Sequence, residues 1–155
     1  MRPVKYRSIH AVTAAVISIA VSLSAGADTT PQDASDYRKS VMTTLKGHIG
    51  AYYLHVRGLV DGQEFLVKHA NGLANGVSEL QYLFPAGSGV EDSDALPVIW
   101  EKPEEFAAAI DKVVAAAQKF VAAAESGDSE AISSAFREVG GSCRGCHDNF
   151  RVPQD

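Results

Sequence analysis

Residues 128–151 read DSEAISSAFREVGGSCRGCHDNFR. Ile132, Phe136, Val139, Cys143, Cys146 and Phe150 recur at steps of three or four, the period of one helix face. Asp128 supplies an N-cap, and Gly127 suits the position just past the end of a preceding helix. The same period appears three more times upstream. Tyr37, Val41, Leu45, Ile49, Tyr52 and Val56 predict a first helix from Asp33 to about Gly58. Phe65, His69, Leu73, Val77, Leu80 and Phe84 predict a second, from Asp61 to about Phe84. Gly72 and Gly76 weaken it by about 1 kcal/mol each, or else permit close approach of a neighbouring helix or a flat ligand. After a long connection at 85–103, Phe106, Ile110, Val113, Ala117, Phe120 and Ala124 predict a helix over Pro103–Ser126. No hairpin signal, no G-x-G-x-x-G and no internal repeat is present. The expected fold is all-α, an antiparallel four-helix bundle.

The chain has 155 residues, a formal charge of −5, 46% apolar and 21% charged residues. That is globular composition. Fourteen basic against nineteen acidic residues argue against nucleic-acid binding. The N-terminus carries Arg2, Lys5 and Arg7, then a nearly apolar run from Ala11 to Leu23, then Ser24-Ala25-Gly26-Ala27. This is the pattern of a secretory signal peptide, too short to span a bilayer. Residues 1–27 are therefore expected to be removed, leaving a domain at 28–155 with no stable membrane association. Losing three basic residues and no acid takes the formal charge from −5 to −8. Export, with a periplasmic location, requires that the thiols be oxidised, metal-bound or covalently modified.

Only two cysteines occur, and they fall in Cys143-Arg144-Gly145-Cys146-His147. C-x-x-C-H is the attachment motif of c-type haem. Two thiols add across the haem vinyl groups, and the adjacent histidine reaches the iron. On a helix the three side chains stand at i, i+3 and i+4, one face. A thioredoxin-like dithiol belongs after a strand, a zinc site needs further ligands, and a disulfide between residues three apart on a helix is strained. A di-iron bundle needs repeated Glu-x-x-His, and none occurs.

With this motif at the C-terminal end, the chain resembles the cytochrome c′ family of class II c-type cytochromes. The resemblance covers 33–151 and rests on Tyr37-Arg38-Lys39-Ser40-Val41-Met42, Pro97-Val98-Ile99-Trp100 and Cys143 to Arg151. It implies one covalent haem c held by Cys143 and Cys146, with His147 as axial iron ligand. It implies that Arg151 lies beside that histidine, that Arg38 pairs with a haem propionate, and that Met42 occupies the distal position. Two readings of Met42 follow. Ligation by its sulfur suits an electron carrier serving redox partner proteins. A thioether that only fills space leaves five-coordinate iron that binds NO or CO. Electron transfer is the first reading here, gas binding the alternative, and a non-haem interaction module with a Cys143–Cys146 disulfide a further one. No general base or nucleophile pair suggests an enzyme. The resemblance also implies a homodimer through the first two helices. His48, His55 and His69 read as packed or surface histidines, with His69 a weaker candidate for approaching the haem. Tyr52, Tyr53 and Tyr82 read as core aromatics.

Overall fold

The computed structural model describes residues 29–154. The expected signal peptide at 1–27 lies outside the described residues. The described chain forms α1 (Pro31–Val56), α2 (Gln63–Ser78), a short α3 (Val98–Glu101), α4 (Pro103–Ser126) and α5 (Ser129–Phe150), with a 3₁₀ turn at Leu80–Tyr82. The four long helices make the bundle. α1 lies against α2, α2 against α4 and α4 against α5.

Local chemistry sets the helix ends. α1 begins two residues earlier than its hydrophobic period suggests, because Thr30 and Asp33 form a reciprocal capping box. Asp33 is thus the third helical residue rather than the first. Asp128 caps α5 by accepting the amides of Glu130 and Ala131, both at 2.9 Å. Gly127 ends α4 in the left-handed conformation, φ 72°.

The second helix is shorter than its hydrophobic period. It stops at Ser78, and the chain tightens into the 3₁₀ turn before Phe84. Pro85 disfavours helical backbone at the residue before it. The Trp100 indole N–H then donates to the carbonyls of Phe84 and Pro85 at 3.2 and 3.1 Å. Trp100 itself sits in α3, a turn of helix too short to declare a period.

Three residues of the predicted buried stripes are exposed: Tyr37 (56%), Val56 (49%) and Phe65 (44%). Val56 ends α1 and Phe65 lies in the first turn of α2, so both outrun the core at the turn between these helices. Tyr37 instead donates to Glu79 at 2.6 Å. Tyr52 is core, as expected, whereas Tyr53 and Tyr82 are exposed. Tyr52 on α1 stacks on Phe136 of α5 at 3.6 Å between centroids, and both meet Phe120 of α4. This aromatic cluster brings α1 and α5 together at one level. Elsewhere along the same seam they part.

Candidate functional site

A cavity of about 640 Å³ lies along that seam. Such a volume is within the range of cofactor sites. Arg38 and Met42 of α1 line it, as do Cys143, Cys146 and His147 of α5 and the following Arg151. The structure therefore brings all six sequence-predicted site residues to one cavity. Its floor comes from α2 and α4, including Leu73, Val77, Phe106, Ile110 and Val113. The contribution of α4 is legible in its apolar stripe. Lys46, Ser93 and Asp94 also line the cavity and carry no sequence signal that would single them out.

Helix α5 positions the thiols and the imidazole. Cys143 and Cys146 are free and half-buried, and both pack against the hydrophobic core. Burial raises the pKa of Cys143; burial and its neighbour push that of Cys146 up to about 11. Both thiols therefore stay protonated at neutral pH, unlike the activated thiolate of a redox dithiol. Burial, then the nearby Arg151 cation, holds His147 below its ordinary pKa. A neutral imidazole keeps a lone pair for a metal.

Arg38 is 5% exposed and has no carboxylate partner. Its guanidinium donates to the carbonyls of Leu83 and Ser88 at 2.9 and 3.1 Å and to the Ser93 hydroxyl at 2.8 Å. It also lies over the Phe84 ring at 4.7 Å. The exposed cation of this stretch is Lys39 instead, which pairs with Asp92 at 2.7 Å. The rim is completed where Leu96 N–H donates to Phe150 and Val152 N–H to Asp94, tying the loop to the end of α5.

The residues present fit a haem. Two thiols and an imidazole share one wall, and apolar side chains form the floor. The buried Arg38 cation lacks an anion, and the buried Nε of Arg151 lacks any partner among the described residues. Arg151 Nε is a donor with room for an acceptor, and Arg38, already hydrogen-bonded, brings a positive charge without a counter-charge. Among the described residues no three His, Cys, Asp or Glu side chains are grouped to hold a bare metal ion.

His69 does not line this cavity; it faces His48 instead, with Nδ1 atoms 3.0 Å apart. Gly72 and Gly76 allow close helix approach rather than ligand approach. A Cβ at Gly76 would stand 2.7 Å from Leu45 of α1, and one at Gly72 would meet the His48 ring.

Known proteins agree with this geometry. A family model described as Cytochrome C′ matches residues 33–151. Cytochrome c′ of Pararhodospirillum photometricum is 33% identical over 122 residues, covering 78% of this chain and 98% of that protein. A nitric oxide complex of a mutant cytochrome c prime from Alcaligenes xylosoxidans superposes with TM-score 0.74 at 30% identity, covering 80% of this chain and 98% of that one. A carbon monoxide-bound variant of the same cytochrome gives the same TM-score, identity and coverage. Proteins of this kind bind one covalent haem c with its iron. The four-helix bundle, the C-x-x-C-H wall and the matched length all converge, and the chain belongs to the cytochrome c′ family.

Proposed function

We propose that this protein binds NO or CO at a haem c whose iron is ligated by His147 alone, the opposite face lying beneath Met42. The cavity lined by Cys143, Cys146 and His147 from α5 and by Met42 from α1 supports haem attachment. The observation that favours gas binding over electron transfer is the likeness to the Alcaligenes cytochrome in its NO and CO complexes. Cys143 and Cys146 anchor the group as thioethers, and the helix fixes their spacing. Bound there, haem supplies a redox-active iron with affinity for diatomic ligands. Arg38, fixed by backbone and hydroxyl acceptors on Leu83, Ser88 and Ser93, offers its charge to a propionate. Burial, and then Arg151 four residues beyond His147, lower that imidazole's basicity and so keep it neutral for the iron. Apolar walls from α2 and α4 exclude water from the group.

A second reading has its own observation. Met42 lines the cavity with a flexible thioether, a competent sixth ligand for electron transfer with redox partner proteins. Met42→Ala separates the two in the ferric absorption spectrum. Open iron is high-spin in both proteins. Sulfur-ligated iron is low-spin in the parent and turns high-spin in the variant, which would contradict the proposal.

Export by residues 1–27 to the periplasm belongs to the same proposal. Among the described residues no helix is long and apolar enough to cross a membrane. Pairing of two copies through α1 and α2 belongs to it as well. Its support is the run of exposed apolar side chains where these helices meet, with Leu59 at 61% and Tyr53 at 52%.

A further inference from the structure

We propose that His48 and His69 form a second site, separate from the haem cavity, that binds a divalent late transition cation such as Zn²⁺ or Cu²⁺ on the seam between α1 and α2. Their Nδ1 atoms stand 3.0 Å apart. The ring centroids are 5.4 Å apart and the planes are tilted by 56°. Two imidazole nitrogens at about 2.0–2.1 Å from one ion lie about 2.9–3.4 Å from each other, in square or tetrahedral geometry. The spacing of the pair already falls in that range, and coordination would turn both lone pairs onto a shared ion.

The backbone makes room for it. A Cβ at Gly72 would meet Cε1, Nε2 and Nδ1 of His48, so only glycine lets this ring lie on α2. Both rings are half-buried, reachable yet shielded. Burial and the neighbouring His69 hold His48 below its ordinary pKa, which leaves a neutral ring with a lone pair to give. Beside the pair is a mainly apolar cavity of about 300 Å³, lined by His69 and His55. The buried His55 Nδ1 has no partner among the described residues. Three of the five histidines in the chain thus gather on one seam. Neither His48 nor His69 lines the haem cavity.

The site is an open one. Among the described residues no three His, Cys, Asp or Glu side chains close around a common point. The pair gives two ligands, and water gives the rest. In the free pair one Nδ1–H donates to the other Nδ1. Coordination through both Nδ1 atoms moves that proton to the Nε2 of its own ring. The pair stays neutral and releases no proton.

Calorimetric titration of the haem-loaded protein with Zn²⁺ at pH 7 tests the proposal. One Zn²⁺ binds per chain, and His48→Ala and His69→Ala each weaken it by more than about tenfold. The visible spectrum of the haem stays unchanged throughout. An interhelical hydrogen bond only would give no saturable binding, or binding equal in parent and variants, and would overturn the proposal. Crystals of the unsubstituted protein soaked in Zn²⁺ give a test that does not depend on variants folding. Anomalous diffraction at the zinc edge should place a peak bridging the two Nδ1 atoms, and peaks only elsewhere would refute the site.

Discussion

Arg38 concentrates the energetics of the site in one side chain. A buried cation without an anionic partner is costly, and its hydrogen bonds are what make the position tolerable. Burial accordingly lowers its pKa. Arg38→Ala removes the donors to Leu83, Ser88 and Ser93 and leaves their acceptors unsatisfied. It should cost about 2–4 kcal/mol in urea unfolding of the haem-loaded protein. Arg38→Lys keeps the charge but not the planar fork, so it should recover only part of that loss. From sequence, Arg38 was a position matched to a family motif. That it would clamp the loop at 83–93 was not legible, because its partners are carbonyls and hydroxyls distant in the chain. Cys143, Cys146 and His147 were legible because their chemistry fixes their spacing, and the helix translates spacing into a shared face.

Among the elements, α1 and α2 show how a glycine's worth depends on its neighbour. Gly47 of α1 is exposed, and a Cβ there meets nothing within 4 Å. Gly47→Ala should stabilise the protein by up to about 1 kcal/mol through helix propensity alone. Gly72→Ala offers the same propensity but drives a methyl into the His48 ring. Thermal melts should show it destabilised by about 1–2 kcal/mol despite that gain. The hydrophobic period made all four long helices legible, along with the αL glycine after α4 and the cap of α5. It did not reveal where α2 stops. The apolar stripe continues through Leu80 and Phe84 although the backbone has left the helix. Those residues are packed by the turn and by Trp100, not by helical register. Nor did it reveal α3, which is shorter than the two turns a period needs.

The whole molecule is a bundle closed by aromatics at one level and opened into a cavity at another. Its response to acid follows from groups held neutral by burial. His48 has a lowered folded pKa, caused first by burial and then by His69. The folded chain therefore binds this proton less readily than the unfolded chain, whose histidine titrates near about 6.5. The contribution of His48 is fully present above that value and is lost as pH falls through it toward the lowered folded pKa. With metal chelated, the parent should lose stability between pH 7 and 5 more steeply than His48→Gln, and parallel unfolding curves would argue against this. At the scale of the molecule, bundle and haem attachment were readable from residues 128–151 with three more stripes. The state of the iron was not, because Met42 lines the cavity whether or not its sulfur binds.

That state is the central claim, and the visible spectrum of the ferrous protein with and without CO tests it most directly. The account predicts a red protein with a broad high-spin spectrum that shifts when CO is added. A sharp, split spectrum indifferent to CO would put Met42 on the iron, and a colourless protein would remove the haem altogether; either would contradict it.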